Sequence, residues 1–201
     1  MDETELIQLA QGGDLDAFNR IVIAHQDLAY NLAYRLLNDP AAAEDATQDA
    51  FISAYRNLAR FRGGSFKAWL LRIVTNGCYD ELRRQKRRPI TDLEPQNEES
   101  ESFDSAVWMV DPGESPEDMA LRVELNAAIQ RCLEGLDEEF RAAVILVDVQ
   151  GLDYAEAASA LNRPLGTVKS RLARGRGRLQ ECLQGFEELL PSEFRLVSEG
   201  Q

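Results

Sequence analysis

Between residues 91 and 125 the chain carries eleven acidic side chains against a single basic one. The core of that run, ITDLEPQNEESESFDSAVWMVDPGESPED at 90–118, is poor in aliphatics and holds three prolines. Such a segment cannot bury enough apolar surface to offset the entropy of ordering it, so it reads as a flexible acidic linker. The rest of the chain must therefore fold as two pieces, one on each side. The cluster Val107 to Val110 (VWMV) is the exception within the run: it rests on a neighbouring helix or docks elsewhere.

Both flanking pieces can hold a core, since 44% of the 201 residues are hydrophobic. Aromatic residues are only 7%, which argues against an all-β sandwich. No run of about 18 consecutive apolar residues is present, so no membrane insertion is expected. The opening MDETELIQLAQ is acidic and amphipathic, unlike a signal peptide, and the expected location is cytoplasmic. Cys78, Cys132 and Cys182 lie far apart with no CxxC pair, and His25 is the sole histidine. The expectation is reduced thiols, no metal site and no cofactor.

The first piece has the periodicity of helices throughout. After a short opening helix, Gly12-Gly13 breaks the chain and Asp14 can cap the next helix. Phe18, Ile21, Val22, His25, Leu28, Ala29, Leu32, Ala33 and Leu36 then recur at helical spacing. His25 lies on that stripe, where a core-edge role outweighs a catalytic one. Asn38-Asp39-Pro40 ends this helix and starts another that runs to about Asn57, with Pro40 in its first turn. Ala43, Ala46, Ala50, Phe51, Ala54, Tyr55 and Leu58 form its expected inner face. Asp45, Gln48, Asp49 and Ile52 share a second face: an apolar side chain ringed by polar ones, which suits either protein docking or plain solvation. No nucleophile, metal cluster or oxyanion site accompanies those carboxylates, so catalysis is not expected.

Phe61-Arg62-Gly63-Gly64-Ser65-Phe66-Lys67 reads as a loop with a helix-capping serine. Its aromatic and cationic side chains suit stacking on unpaired bases, or else pin a turn to the core. Phe66, Trp69, Leu70, Ile73, Val74 and Gly77 point inward on the next helix, while Arg72, Asn76, Tyr79 and Arg83 form a polar stripe. That stripe leads into a basic cluster of Arg83, Arg84, Lys86, Arg87 and Arg88.

The second piece reads as helices over Leu121–Leu136 and Glu138–Gln150, then as a helix-turn-helix. Tyr154–Leu161 is its short first helix, Asn162 takes the left-handed turn position, and Arg163-Pro164 stops continuation. The second helix opens at Gly166-Thr167, with Lys169, Arg171, Arg174, Arg176 and Arg178 crowding ten positions. Short helix, tight turn and basic helix together point to DNA binding. Two compact basic patches on a chain of net charge −13 fit local anion contacts in a repulsive background. At 100° per residue Val168, Leu172 and Leu179 face the core, and Ser170, Ala173, Arg174 and Gly177 lie opposite. Arg174 is then the long donor for base edges, and Arg171 suits a phosphate or an intradomain ion pair. Gly175 and Gly177 each weaken this helix by about 1 kcal/mol relative to alanine.

AEDATQDAF at 43–51, the stretch from Phe61 through WLLRIVTN to DELRR ending at 84, and GTVKSRLAR at 166–174 occur in an order and spacing that resemble a known family. The chain is similar to the extracytoplasmic-function (ECF) sigma factors of bacterial RNA polymerase, over roughly 15–88 (sigma region 2) and 120–184 (sigma region 4). The resemblance implies an all-α protein of two small helical domains. Sigma region 2 would occupy 1–88, the acidic linker 89–118, sigma region 4 119–185 and a short tail 186–201. It implies that Asp45, Gln48, Asp49 and Ile52 dock on core RNA polymerase. Phe61, Arg62, Ser65, Phe66, Lys67, Trp69, Arg72, Asn76, Arg83 and Arg84 would contact a melted minus-ten element. Thr167, Lys169, Ser170, Arg171, Ala173, Arg174 and Arg178 would meet the minus-thirty-five element. The implied partners are core polymerase, promoter DNA and an anti-sigma factor. The competing class, a stand-alone helix-turn-helix regulator, accounts for the second piece but leaves the first unexplained.

Overall fold

In the computed structural model, residues 2–87 and 115–190 are described; the Val107–Val110 cluster, Arg88 and most of the linker and tail lie outside them. Local capping chemistry sets the helix boundaries. Helix α1 (Glu3–Gln11) is closed by Gly12, and the Asp14 carboxylate accepts from the Ala17 amide to start α2 (Leu15–Leu37). Asn38 ends α2 in the left-handed conformation, φ 52°. Asp39 then caps α3 (Pro40–Asn57) through the Ala42 amide, with Pro40 in the first turn. A short 3-10 turn, Leu58–Arg60, leads to the glycine loop and to α4 (Phe66–Arg87), which Ser65 caps by accepting from the Ala68 amide.

Helix α5 (Pro116–Glu134) begins inside the stretch read as linker, because Ser115 caps it and Pro116 fits its first turn. Helix α6 (Glu138–Val144) does not run on as one α-helix to Gln150. It widens into a π-helical turn over Ile145–Val149, where the Gln150 amide donates to the Ile145 carbonyl at 2.8 Å. Helices α7 (Tyr154–Leu161) and α8 (Leu165–Leu183) come next, joined through Asn162 at φ 50°, and Gln184–Leu189 forms a final 3-10 segment. No strand occurs among the described residues, as expected of an all-α protein.

Helices α1 to α4 pack around Ile21, Leu32, Leu36, Leu58, Phe66, Leu70, Leu71 and Val74, all at most 2% exposed. Burying each such side chain contributes about 1.5–3 kcal/mol. The second piece packs α6, α7 and α8 on Leu133, Ile145, Leu146, Ala157, Val168 and Leu172. The two cores are continuous: α4 lies against α7, and α2 touches α5 and α6. Polar bonds reinforce that seam. Arg141 donates to the Leu36 carbonyl (2.9 Å), Gln130 to the Asn38 side-chain oxygen (3.2 Å), and Lys86 pairs with Glu138 (2.6 Å).

Several inward assignments need correction. Tyr55 is 40% exposed, its ring tilted on Phe18 at a centroid distance of 4.9 Å, because at 100° per residue it lies at the edge of the buried stripe; Thr47, inside that stripe, is buried and donates its hydroxyl to the Ala43 carbonyl. Gly77 is exposed, and Cys78 takes the inner position. The expectation that all three thiols are reduced is overturned as well: Cys132 and Cys182 form a disulfide, their Cα atoms 5.7 Å apart. Fifty residues separate them in the chain, but α5 and α8 cross where they sit, a proximity that sequence spacing cannot express. Cys78 alone stays a thiol, and burial pushes its pKa up to about 12.

Candidate nucleic-acid and protein interface

The α3 face that carries Asp45, Gln48, Asp49 and Ile52 forms as its spacing requires. All four are exposed, Ile52 by 49%. Beside them, α2 and α3 leave a groove of about 210 Å³ lined by Gln26, Asp27, Tyr30, Asn31, Glu44, Thr47 and Gln48. Burial, then the neighbouring Glu44 and Tyr34, raises the Tyr30 phenol above its ordinary range. The α2 residues of this groove were missed. Asp27, Tyr30 and Asn31 recur at helical spacing opposite the apolar stripe, which was the available signal.

The loop before α4 resolves its own ambiguity. Gly63 and Gly64 take φ of 93° and 89°, a turn that side chains with a Cβ resist. That turn folds Phe61 back onto Phe66 and Trp69, with ring centroids 5.4–5.6 Å apart in each pairing. Phe66 is 1% exposed and begins α4, so it anchors the loop to the core and has no face to offer a base. Trp69 and Phe61 are half-buried, while Arg62, Ser65, Arg72 and Asn76 are exposed. Lys67 turns the other way, to the Gln150 carbonyl of the second piece at 2.5 Å.

The basic end of α4 carries its own counter-charges. Arg83 pairs with Asp80 and Arg84 with Glu81, one turn back on the same helix. Tyr79, assigned to the polar stripe, is half-buried where α4 meets the second piece, and its phenol is pushed up to about 12 chiefly by burial, against the opposing effect of Arg171.

On α8 the geometry divides the cations. Val168 and Leu172 are buried and Leu179 half-buried; Ser170, Ala173, Arg174 and Gly177 are exposed on the opposite side. Arg171 is drawn into an ion pair with Glu139 (2.6 Å), Arg176 into one with Asp148 (2.5 Å), and Arg178 into one with Asp137 (2.6 Å) while lying over the Phe140 ring. The hydrogen bond from Arg176 to Asp148 raises the Arg176 pKa above its ordinary value. Lys169 sits over the Tyr154 ring at 5.7 Å. Thr167 is half-buried at the helix start, its carbonyl accepting from the Ser170 hydroxyl. Arg174 forms no ion pair among the described residues and is the long cationic side chain of the outer face, beside Ser170, Ala173 and Gly177.

Gly175 is a correction to the sequence reading. A Cβ there would lie 2.7 Å from Val144 Cγ2 and 3.3 Å from the Phe140 carbonyl. The glycine lets α6 and α8 pack in contact, rather than merely softening the helix. Gly177, with nothing within 4 Å, has no such role.

A helix with an exposed acidic face, a loop-and-helix with exposed cations, and a helix-turn-helix with an outward arginine define a two-domain helical protein of the transcription class. The chain matches the family model of Sigma-70 region 2 over residues 21–88 and that of Sigma-70, region 4 over 126–179. It is 37% identical to the RNA polymerase sigma-H factor of Pseudomonas aeruginosa, covering 90% of this chain and 94% of that one. It is 36% identical to the ECF RNA polymerase sigma-E factor of Escherichia coli strain K12, covering 89% and 93% respectively. Among solved structures it resembles the sigma factor RpoE, crystallised with the anti-sigma factor NepR, from Bartonella quintana. That likeness has a TM-score of 0.62 at 27% identity, over 85% of this chain and 98% of that one. The chain belongs to the ECF sigma factors of the sigma-70 family.

Proposed function

We propose that this chain binds core RNA polymerase and directs promoter-specific initiation, with region 2 within 1–88 and region 4 within 119–185. The observation that carries the reading is the presence on one chain of the acidic α3 face, the α4 element and the outward face of α8. A stand-alone helix-turn-helix regulator has no use for the first two. Asp45, Gln48, Asp49 and Ile52 meet a basic polymerase surface. Arg62, Ser65, Lys67, Trp69, Arg72 and Asn76, with Phe61 at the loop's edge, meet the unpaired minus-ten strand; Arg83 and Arg84 add phosphate contacts once released from their carboxylates. Arg174 reads base edges of the minus-thirty-five element from the major groove, where Ala173 permits close approach. Ser170 lies beside it on the outer face, and Thr167, Lys169 and Arg178 flank it toward the backbone.

The work is regulatory rather than catalytic and takes place in the cytoplasm, where polymerase acts. No helix among the described residues is long and apolar enough to cross a membrane. The seam between α4 and α7 supports a further step. Lys67 and Tyr79 face the second piece, so region 2 meets the minus-ten strand fully only after the domains separate. An anti-sigma factor would act by holding them together or by covering the α3 face. Run-off transcription on genomic promoters with purified core enzyme tests the proposal: initiation at defined start sites that requires this chain supports it, and core activity indifferent to the chain refutes it.

A further inference from the structure

The end of α8 is held differently from its beginning. Its buried residues are Val168, Leu172 and Gly175, and no later residue of the helix is buried. The 3-10 segment that continues it buries no residue either. The Cys132–Cys182 disulfide fastens this end to α5, with Arg131 lying over the Phe186 ring at 5.1 Å. The two sulfurs are unequal. Cys132 is 2% exposed, two residues before the end of α5, whereas Cys182 is exposed in the last turn of α8.

We infer that Cys132 and Cys182 are a reversible thiol–disulfide exchange site that fastens and releases the C-terminal end of α8. The oxidant is a low-molecular-weight disulfide of the glutathione class. The Cys182 thiolate, formed by loss of its proton to solvent, attacks one sulfur of that disulfide. A mixed disulfide forms at Cys182, and one glutathione thiolate leaves and takes up a proton. The Cys132 thiolate then attacks the Cys182 sulfur, the protein disulfide closes, and the second glutathione leaves as its thiol. Two thiols and one glutathione disulfide thus become one protein disulfide and two glutathione thiols. A dithiol reductant reverses the sequence by attacking the exposed Cys182 sulfur. The buried Cys132 sulfur is shielded from bulk reagents, so exchange ends in the clasp rather than in a lasting adduct.

The site is independent of the promoter-binding reading, because it rests on the packing of α5 and α8 alone. The test uses the full chain, first reduced with dithiothreitol and then incubated with glutathione disulfide. Intact mass, peptide mapping after native alkylation and hydrogen exchange are read on the same samples. The expected product is lighter by two hydrogens, links Cys132 to Cys182, and resists alkylation at Cys182. Hydrogen exchange over residues 179–189 should then be on the order of tenfold slower than in the reduced chain. Cys182→Ser, at an exposed position, should fold and lose all redox dependence of that exchange, and Cys132→Ala should do the same. A stable glutathione adduct at Cys182, a link to Cys78, or identical exchange in the two redox forms would overturn the proposal.

Discussion

The Lys67 ammonium donates to the backbone carbonyl of Gln150, 83 residues along the chain and across the seam between the two domains. The carbonyl belongs to the residue that closes the π-helical turn at Ile145–Val149. The side chain assigned to the minus-ten strand is therefore already occupied within the protein. Lys67→Met should remove this bond and leave the α2–α3 core intact. Hydrogen exchange at Tyr154–Leu161 should accelerate severalfold, with little change at Leu32 to Leu36; no change at α7 would mean that the bond does not hold the seam.

The two glycines of α8 should respond in opposite directions to alanine. Gly175→Ala drives a Cβ into Val144 and the Phe140 carbonyl, so overpacking of about 1–3 kcal/mol outweighs the gain in helix propensity. Gly177→Ala meets open space and should stabilise by about 1 kcal/mol. Chemical denaturation of both variants decides the matter, and stabilisation by Gly175→Ala would contradict the close approach of α6 and α8.

Charge reversal on the α3 face should separate docking from folding. Asp45 and Asp49 are exposed, so Asp45→Lys and Asp49→Lys should change stability by no more than about 0.5 kcal/mol. Affinity for core polymerase should fall by about tenfold or more as like charges meet. A titration showing undiminished core affinity would remove these residues from the interface.

Arg174 and Arg171 should fail in different assays. Arg174→Ala should cost about 1–3 kcal/mol of discrimination at one or two base pairs and leave folding unaffected. Arg171 has only 14% of its side chain exposed and is paired with Glu139, so Arg171→Ala should lower the melting temperature and leave sequence preference in place. Binding to single-base variants of the upstream element, beside thermal melts, distinguishes the two; the converse pattern would exchange their roles.

The half-buried Tyr79 phenol gives the seam a pH limit. Its folded pKa lies near 12 against an ordinary value of 10.0, so between those values the folded state holds a proton that the unfolded chain has released. Stability is intact below about pH 10 and falls as pH rises toward 12, by roughly 3 kcal/mol for this group. The buried Cys78 thiol adds to the loss from about pH 9 upward. Tyr79→Phe should therefore show a shallower alkaline decline in denaturant midpoint than the parent chain; equal slopes would mean that the phenol does not titrate in the seam.

The features legible in the sequence were local. Asp14, Asn38-Asp39-Pro40 and Asn162 mark helix ends because caps and left-handed turns are satisfied by residues within one turn. The α3 face and the outer side of α8 were legible for a similar reason, since a single helix repeat decides which side chains share a face. Tyr55 and Gly77 were misjudged where the neighbouring helix, rather than the repeat, settles who is buried, whereas Phe66 is buried as its spacing requires. The Cys132–Cys182 bond, the need for glycine at 175 and the pairing of Lys67 with Gln150 all join residues brought together only by tertiary packing. None has a signature in spacing.

The carboxylates that neutralise α8 have a thermodynamic consequence. Glu139, Asp148 and Asp137 occupy Arg171, Arg176 and Arg178 in the absence of any nucleic acid. A phosphate arriving at one of these arginines must displace a carboxylate of the protein. The usual gain of DNA binding, in which each cation liberates condensed counterions from the duplex, is then offset by ions that gather around the carboxylate set loose. The affinity of region 4 for DNA should thus vary with ionic strength less steeply than its number of cations suggests. Such a helix trades raw attraction for indifference to changes in the salt around it.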